Sequence, residues 1–256
     1  MIRVLVSGAA GKMGQEVVKA ISVQSDMEFV GGVDPACNRL GQLDLYSDLV
    51  EAITETKPDV VVDFTHPGVI RENLATYQKH QLKAVIGTTG LSEQDLESLR
   101  ASAKEHNWAA LIAPNFAIGA VLMMKFAVEA AKHFPNIEII EYHHEQKKDS
   151  PSGTAIKTAE MISENLTTVK AASDDQFERL AGARGANLGS INIHSVRLPG
   201  YVAHQEVICG LPGQNLTIRH DSTHRESFMP GVVLAVRKIG ELQGITYGLE
   251  HILFNS

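Results

Sequence analysis

The chain has 256 residues, of which 44% are hydrophobic and 21% are charged, and its formal net charge is −7. This composition is typical of a folded protein with one large or two modest domains, and it excludes a disordered chain. The acidic balance also argues against a general nucleic-acid-binding role.

Cysteine content and hydropathy indicate in which cellular compartment the protein is expected. Cys37 and Cys209 lie far apart and fit neither a metal-binding motif nor a disulfide framework, which favours reduced thiols. The first residues already read as a strand and a glycine-rich turn, which leaves no room for a signal peptide. No apolar run approaches membrane-spanning length. We therefore expect a cytoplasmic protein without membrane contact.

The N-terminal segment predicts a β-α-β unit. Residues 2–7 are β-rich, the glycine-rich turn Gly8–Gly14 follows, and a helix is predicted at 15–22 and a strand at 28–33. Asp34 ends this strand, 20 positions after the last glycine of the turn. In such units the glycines let backbone approach a pyrophosphate, which sits on the helix N-terminus, and the acid holds a ribose 2′-hydroxyl. The segment therefore predicts a dinucleotide site rather than a purely structural turn.

The choice of dinucleotide is left open by the same segment. Its glycine spacing is Gly-x-x-Gly-x-x-Gly rather than Gly-x-Gly-x-x-Gly, a departure that several dehydrogenase families share. Lys12 lies inside the turn and Arg39 follows Asp34, and either could neutralise a 2′-phosphate. Asp34 favours NADH without excluding NADPH.

An alternation of helices and apolar strands continues as far as residue 116 and predicts a parallel sheet. Helices are predicted at 46–54, 69–80 and 92–104, with Ser92 as a cap, and strands at 60–64, 84–86 and 109–112. Ligands bind beyond the carboxyl ends of the strands in such sheets, so the turns there are candidates for the cofactor cleft. The alternative is that Thr65, Thr88 and Asn115 are ordinary turn residues.

The pattern changes after residue 116. Helices are predicted at 117–133, 155–166 and 229–242, a strand at 137–140, and a polar, glycine-rich loop within 167–189. Three strands joined by short connections are predicted at 191–197, 204–209 and 215–221. This succession indicates a mixed or antiparallel sheet in a second domain, from which the last helix returns to the first.

The stretch Glu141–Ala155 concentrates the chemistry of the second domain. Neighbouring residues of a strand point to opposite faces, so His143 and His144 cannot both face one metal ion, which argues against zinc. One of them can act as a proton donor at neutral pH. The pattern predicts a site for a small anion that must be protonated, against the alternative of a polar surface loop.

Positive charge and N–H groups for such an anion are found in the same stretch. The helix start at Ser152, Gly153 and Thr154 offers N–H groups that suit a carboxylate or phosphate. Lys147 adds a positive charge, and Lys148 is the only other basic residue that we expect so close to His143. The two adjacent lysines are expected to point in different directions.

These motifs resemble those of the dihydrodipicolinate reductase family, along the whole chain. The run His-His-x-x-Lys-x-Asp-x-Pro-Ser-Gly-Thr-Ala within Glu141–Ala155 is highly specific to that family, although Ser150 replaces the more usual alanine. The other matching positions are Gly8–Gly14, Asp63–Thr65, Gly87–Gly90, Asn115, Phe116, His204, His220, Arg225, Phe228 and Gly231.

The resemblance implies roles for individual residues. His143 is the implied catalytic acid/base, and Lys147 the second proton donor and substrate clamp. The implied substrate-binding residues are His144, Ser152, Gly153 and Thr154. The implied dinucleotide site consists of Gly8, Ala9, Ala10, Gly11, Lys12, Met13, Asp34, Gly87, Thr88, Thr89, Ala113, Pro114, Asn115 and Phe116. No metal site is implied.

The resemblance also implies an architecture and an activity. A Rossmann-type parallel-sheet domain, residues 1–116 completed by 226–256, precedes an α+β substrate and tetramerisation domain with a mixed sheet, residues 117–225. The implied reaction is NADH- and/or NADPH-dependent reduction of 4-hydroxy-tetrahydrodipicolinate, a small heterocyclic dicarboxylate, in lysine and diaminopimelate biosynthesis. The expected assembly is a homotetramer without nucleic-acid or membrane partners.

Two other functions remain open at this point, because a fold alone never determines function. The first is another NAD(P)-dependent amino-acid or semialdehyde dehydrogenase with the same cofactor domain and a different pocket. The second is a non-catalytic dinucleotide-sensing regulator. The regulator would leave His143 and Lys147 without a chemical role.

Overall fold

The structure is a computed structural model that describes residues 1–166 and 177–254. The chain divides into two compact units, Met1–Phe116 with Phe228–Ser256, and Ala117–Ser227. Within the described residues, every helix is too short or too polar to span a bilayer.

The first unit begins with alternating strands and helices, as the sequence predicts. Its strands are β1 (Ile2–Ser7), β2 (Met27–Val33), β3 (Arg39–Leu40), β4 (Leu43–Asp44), β5 (Val60–Asp63), β6 (Lys83–Ile86) and β7 (Ala109–Ile112). Its helices are α1 (Lys12–Ser22), α2 (Leu49–Thr56), α3 (Ile70–Lys79) and α4 (Glu93–Glu105). Helix α2 starts three residues later than predicted, because the Asp48 side chain caps it by accepting the Glu51 N–H. The predicted Ser92 cap of α4 is confirmed, with Asp95 completing a capping box.

Within its described residues, the second unit contains two α-helices and one five-stranded sheet. Its elements are α5 (Ile118–Ala131), β8 (Asn136–His143), α6 (Gly153–Ser163), β9 (Ala186–Leu188), β10 (Ile191–Arg197), β11 (Ala203–Leu211) and β12 (Gln214–Ser222). Strand β8 extends to His143, beyond the end at Ile140 that the apolar run predicts. Of the loop predicted within 167–189, residues 167–176 lie outside the described residues, and the later part includes β9.

The chain then returns to the first unit. Its last elements are α7 (Met229–Lys238), a 3₁₀ turn (Ile239–Glu241), β13 (Gly244–Tyr247) and α8 (Glu250–Leu253). The prediction of one helix as far as Leu242 is wrong, because the α-helix stops at Lys238 and a tighter 3₁₀ turn follows. Strand β13 was not predicted, because its sequence Gly-Ile-Thr-Tyr is not a continuous apolar run, and it is defined by its pairing with β7.

The sheet of the first unit has six parallel strands in the order β13-β7-β6-β5-β1-β2. The order reverses at β1, which has β2 on one side and β5 on the other. Such a reversal opens a crevice at the carboxyl ends of the strands, where ligands bind. The last residues of β1 and β5, Ser7 and Asp63, are register partners. The glycine-rich turn therefore begins beside the end of β5.

The sheet of the second unit has the order β12-β11-β8-β10-β9. Strand β8 is central, parallel to β10 and antiparallel to β11. Ile137 and Ile139 of β8 belong to a buried cluster with alanines of α5 and α6. Because side chains alternate along a strand, Glu141 and His143 lie on this same helix-covered face. The fold thus directs two polar residues of β8 towards the start of α6.

The close packing of α7 in the first unit yields a stability prediction. A Cβ atom at Gly231 would lie 2.0 Å from the Phe116 carbonyl oxygen, so Gly231→Ala should lower the free energy of unfolding by about 1–3 kcal/mol. Gly240→Ala is the control, because its Cβ would meet nothing described closer than Lys83 Nζ at 3.9 Å. We expect a change within about 0.5 kcal/mol for the control. Urea unfolding followed by circular dichroism measures both, and equal stabilities would contradict this packing.

Candidate active site

The turn after β1 is shaped for close approach of a ligand to backbone. Gly8 has φ +79°, and a Cβ there would lie 2.4 Å from the Phe64 carbonyl oxygen, so only glycine fits. Helix α1 begins at Lys12 and has Gly11 at its N-cap, without a side-chain cap. The first N–H groups of α1 can therefore bind an anion such as a pyrophosphate.

The Asp34 side chain, at the end of β2, forms a hydrogen bond to this turn. Its Oδ2 accepts the Ala10 N–H at 3.1 Å, and its Oδ1 accepts the Ala36 N–H at 3.1 Å. A carboxylate oxygen can accept a second hydrogen bond, so a ribose hydroxyl can still bind to Asp34. Lys12 is exposed, and Arg39 makes a long contact of 3.9 Å with Asp44. Lys12 and Arg39 therefore lie in the segment for which the sequence left the choice of dinucleotide open.

The turns after β6 and β7 contain the other residues predicted to bind the cofactor. The Ala113 N–H donates to the Ile86 carbonyl at 3.0 Å, which ties the two turns together. Phe116 is buried and packs on Phe64, with ring centroids 5.7 Å apart. Thr88 is also buried, unlike its exposed neighbour Thr89. Of the remaining predicted residues, Ala9 is buried, Gly87, Met13 and Asn115 are partly buried, and Pro114 is exposed.

Asp63, at the end of β5, is fully buried and binds five donors from neighbouring groups. Its Oδ1 accepts the Thr65 N–H at 3.0 Å and the Thr65 and Thr88 hydroxyls at 2.7 Å each. Its Oδ2 accepts the Tyr77 hydroxyl at 2.7 Å and the Asn73 amide at 2.9 Å. Burial, together with the charge of Asp63, raises the pKa of Tyr77 well above its usual value.

In this network the Asp63 carboxylate and the Thr88 hydroxyl bind groups of their own unit. The Thr88 hydroxyl is bound inside the unit, so the turn after β6 offers a ligand its backbone and Thr89. Sequence reasoning assigned Asp63 no role. The signal that could have found it is an acidic residue directly after three apolar residues of a buried strand.

In the second unit, a fully buried carboxylate lies beside the predicted proton donor. Glu141 Oε2 accepts a hydrogen bond from His143 Nδ1 and one from Arg197 Nη1 at 2.9 Å. Its Oε1 accepts from Arg197 Nη2 at 2.7 Å and from the Ser152 N–H at 3.3 Å. Burial acts to raise the pKa of Glu141, but hydrogen bonds from His143 and Arg197 hold this pKa at about 2. Glu141 is therefore ionised at neutral pH.

Arg197 corrects the expectation that Lys148 is the only other cation close to His143. It is the register partner of His143 on the neighbouring strand β10. Besides its two bonds to Glu141, it donates to the Asp149 carbonyl at 2.9 Å and to the Val196 carbonyl at 2.8 Å. No local pattern indicates this contact, because only the pairing of β8 with β10 brings the two residues together.

The two histidines differ in position. His143 ends β8, and 14% of its side chain is exposed. His144 lies beyond the strand and is also partly exposed, so the alternation of faces does not determine where it points. Across residues 1–166 and 177–254, no group of three or more His, Cys, Asp or Glu residues has an arrangement suited to a metal ion.

The start of α6 and the preceding loop complete this group. Ser152 is buried, its hydroxyl accepts the Ala155 N–H at 3.3 Å, and it thus caps the helix. Gly153 is exposed, and no heavy atom of the described residues lies within 4 Å of its Cβ position. Thr154 is partly buried. The backbone at Gly153 is therefore accessible to an anion.

The two lysines of the loop differ in exposure and partner. Lys147 is 23% exposed, and its Nζ binds both carboxylate oxygens of Asp149, at 2.8 and 2.9 Å. This hydrogen bond lowers the pKa of Asp149. Lys148 is exposed. Lys147 is thus the lysine that is held within the turn, with Asp149 as a partner that an incoming anion would compete with.

Comparison with known proteins identifies one family over nearly the whole chain. The family model described as "Dihydrodipicolinate reductase, N-terminus" matches residues 2–116, and the model described as "Dihydrodipicolinate reductase, C-terminus" matches residues 119–253. A 4-hydroxy-tetrahydrodipicolinate reductase of Listeria welshimeri is 53% identical over 98% of this chain and all of its own length. That of Syntrophomonas wolfei is 49% identical over 98% of each chain.

Solved structures agree with these relatives. The dipicolinate-bound dihydrodipicolinate reductase from Paenisporosarcina sp. TG-14 has a TM-score of 0.88 and 43% identity, covering 98% of this chain and 99% of that one. A probable dehydrogenase from Thermotoga maritima, with a TM-score of 0.68 and 13% identity over 98% of this chain and 92% of its own, shares the fold alone.

The buried Asp63 network yields a prediction on stability. Asp63→Asn turns one acceptor oxygen into a donor that faces other donors, and we expect a loss of about 1–3 kcal/mol in the free energy of unfolding. Tyr77→Phe removes a single donor and should cost about 1 kcal/mol. Urea denaturation at pH 7 measures both. An Asp63→Asn variant as stable as the parent protein would show that the five hydrogen bonds do not determine the stability of the first unit.

Proposed function

The chain belongs to the dihydrodipicolinate reductase family, and we propose that its first unit binds a nicotinamide dinucleotide while its second unit binds and protonates the substrate. The chain is an oxidoreductase that reduces 4-hydroxy-tetrahydrodipicolinate, by way of dihydrodipicolinate, to tetrahydrodipicolinate in diaminopimelate and lysine biosynthesis. This membership sets aside the alternative dehydrogenase and the sensing regulator. The assignment of roles depends on the turn at Glu141–Ala155, which holds an imidazole, a lysine and a helix start.

The residues of the first unit fit a dinucleotide. The backbone at Gly8 accepts close approach, and the uncapped start of α1 suits the pyrophosphate. Asp34 is the acceptor for a ribose hydroxyl. The turns 87–89 and 113–116 end strands of the same parallel sheet, and Thr88 contributes backbone there because its hydroxyl binds Asp63. When bound, the nicotinamide supplies a hydride.

The substrate is a heterocyclic dicarboxylate, and the chain must bind two carboxylates despite its net charge of −7. The Paenisporosarcina relative was solved with dipicolinate, also a heterocyclic dicarboxylate. We assign carboxylate binding to Lys147, His144 and the α6 start at Gly153 and Thr154. Ser152 contributes by capping α6, since its hydroxyl accepts a backbone N–H within the helix.

His143 supplies the proton of the reaction. Loss of water from 4-hydroxy-tetrahydrodipicolinate gives dihydrodipicolinate, a conjugated imine, and hydride addition to its ring leaves an enamine. The imidazolium of His143 then gives one proton to the enamine carbon and recovers a proton from solvent. The net reaction consumes NAD(P)H and one proton and releases one water molecule.

We extend the proposal to assembly as a homotetramer through the second sheet. Tyr142 alternates with Glu141 on β8 and therefore lies on the face opposite α5 and α6. On this face the Tyr142 hydroxyl donates to Glu206 at 2.6 Å, and Arg219 binds Glu206 at 3.2 Å and Asp221 at 3.0 Å. Aromatic and arginine side chains in such a network are typical of interfaces between subunits.

We place the activity in the cytoplasm. Cys37 and Cys209 are both free thiols, as is usual where glutathione and thioredoxin keep cysteines reduced. Burial raises the pKa of Cys209 to about 11, so this thiol is unreactive.

The proposed proton donor can be tested directly. His143→Gln should lower kcat by roughly 10²- to 10⁴-fold, the usual effect of losing a general acid, and leave the Kd for NADH unchanged. His133→Gln, which changes an exposed histidine of the same unit, is the control and should keep normal turnover. The assay follows NADH absorbance with freshly generated 4-hydroxy-tetrahydrodipicolinate. Near-normal turnover of His143→Gln would refute the assignment.

The two lysines of the loop form a matched pair of variants. Lys147→Ala removes a charge-assisted contact to the dicarboxylate. It should lower kcat/KM roughly 10- to 150-fold, which corresponds to a loss of about 1.5–3 kcal/mol of transition-state stabilisation. Lys148→Ala should change the transition-state stabilisation by no more than about 0.5 kcal/mol. Steady-state kinetics measure both, with circular dichroism as a check on folding. The reverse ranking would mean that Lys148 is the clamp, and two silent variants would remove the anion site from this loop.

Asp34, Lys12 and Arg39 are expected to determine the choice of cofactor. We expect use of both dinucleotides, or a preference for NADH, because Asp34 repels a 2′-phosphate while Lys12 and Arg39 reduce that repulsion. Asp34→Asn keeps an acceptor oxygen but loses the charge, so it should shift the ratio of kcat/KM values towards NADPH. A parent enzyme that prefers NADPH by more than about tenfold, or 1.4 kcal/mol, would contradict the role given to Asp34.

A further inference from the structure

We propose that Glu141 and Arg197 form a positioning pair, which holds His143 in one tautomer and one orientation for proton donation. The inference rests on the proposed function, because it assigns a task to residues that act on His143 rather than on the substrate. Neither Glu141 nor Arg197 is among the site residues that the sequence indicates.

The contacts of Glu141 exclude a direct role with substrate. The two oxygens of a carboxylate offer about four acceptor positions, and four donors fill them. These donors are His143 Nδ1, both terminal nitrogens of Arg197 and the Ser152 N–H. The side chain is 0% exposed, so it can neither rotate towards a ligand nor meet one from solvent. Glu141 therefore acts through the groups that it binds.

The hydrogen bond from His143 determines which ring nitrogen carries the catalytic proton. An ionised carboxylate only accepts hydrogen bonds, so His143 Nδ1 must carry its hydrogen in both the neutral and the charged imidazole. The proton that is given up and recovered is then the one on Nε2. A ring rotated by half a turn would lose the bond to Glu141, so the same contact also selects the orientation.

Arg197 keeps this arrangement usable for catalysis. An uncompensated carboxylate beside His143 would stabilise the imidazolium and make its proton harder to release. The Arg197 guanidinium binds both oxygens of Glu141 and offsets much of that charge. Its planar fork also reaches the Asp149 carbonyl, so the pair connects β8 and β10 with the loop before α6. The pair thereby fixes the position of the proton donor relative to the anion site.

Kinetics of a double-mutant cycle test this inference. Glu141→Gln should lower kcat by at least about tenfold, and by no more than His143→Gln does, with little change in KM. Because Glu141 acts through His143, adding Glu141→Gln to the His143→Gln variant should not lower kcat further. Glu129→Gln changes an exposed carboxylate of the same unit, paired with Lys132, and is the control that should leave kcat unchanged.

The pH dependence of kcat gives a second readout, with opposite signs for the two partners. Without the negative charge of Glu141, the imidazolium of His143 is less stable and loses its proton more easily. The decline of kcat at high pH should therefore begin at a lower pH in Glu141→Gln. Arg197→Met leaves the Glu141 carboxylate without its cation, which stabilises the imidazolium. The decline of kcat at high pH should therefore begin at a higher pH in this variant. In the described contacts, Glu141 on β8 binds His143 directly and Arg197 on β10 binds Glu141, while Lys147 and Asp149 lie in the loop whose Asp149 carbonyl Arg197 also binds. Its partner on β11, Ala203, has no charge.

The ring nitrogens of His143 provide a spectroscopic signature. In protein labelled with ¹⁵N-histidine, the signals that disappear in His143→Gln belong to this residue, and their shifts should show a protonated Nδ1. In Glu141→Gln these shifts should change towards a mixture of tautomers, since the amide can both donate and accept. If Glu141→Gln does not fold, Arg197→Lys, which keeps the charge but loses the planar fork, should also lower kcat and alter the same signals.

The possible outcomes separate this inference from the proposed function. Normal turnover of His143→Gln would overturn the role of the histidine, and the positioning pair with it. A slow His143→Gln beside a normal Glu141→Gln would overturn the pair alone. So would an additional loss of kcat when Glu141→Gln is added to His143→Gln, since Glu141 would then act independently of the ring.

Discussion

A buried ionised carboxylate is stable only when hydrogen-bond donors satisfy its lone pairs, and Glu141 places this requirement at the centre of the second unit. Its donors come from three places: its own strand, the neighbouring strand β10 and the start of α6. Removing one partner of a buried charge pair costs about 3–5 kcal/mol, so the three elements cannot separate without a large penalty. The need to satisfy one charge therefore aligns His143, the proposed proton donor, with the helix start that we propose binds the anion. Stability and catalytic geometry depend on the same contacts.

The first unit meets the same requirement in a different way. Asp63 is as deeply buried as Glu141, but all its donors are uncharged groups, namely two threonine hydroxyls, a tyrosine, an asparagine amide and a backbone N–H. These neutral donors bind the turns after β5 and β6 together. In the second unit the donors include the cation of Arg197, which in the proposed mechanism offsets the carboxylate beside an imidazole that gains and loses a proton. In each unit a buried carboxylate near the end of a strand holds residues that we propose contact the ligand.

Periodicity and turn chemistry were sufficient for most of the secondary structure. Strands of continuous apolar residues, such as β5 and β7, are recognisable because both of their faces are buried in a parallel sheet. The C-terminal segment was harder, since the change from α7 to a 3₁₀ turn and the pairing of β13 depend on neighbours rather than on local preference. The burial of Glu141 could have been predicted from the sequence. It follows Ile137 and Ile139 at a spacing of two, which places it on the helix-covered face of β8.

By itself the sequence determined the two-domain α/β organisation, the glycine-rich turn after β1 and the turn that contains His143 and Lys147. These features are local, because a spacing of two or 3.6 residues, a glycine or a helix cap acts within a few positions of the chain. Only the tertiary structure decided which groups support them. Arg197 lies 54 positions from His143 in the sequence, and Thr88 lies 25 positions from Asp63, so no local pattern connects either pair. Strand pairing brings each pair together, and the cost of leaving a buried carboxylate without donors makes the contacts obligatory.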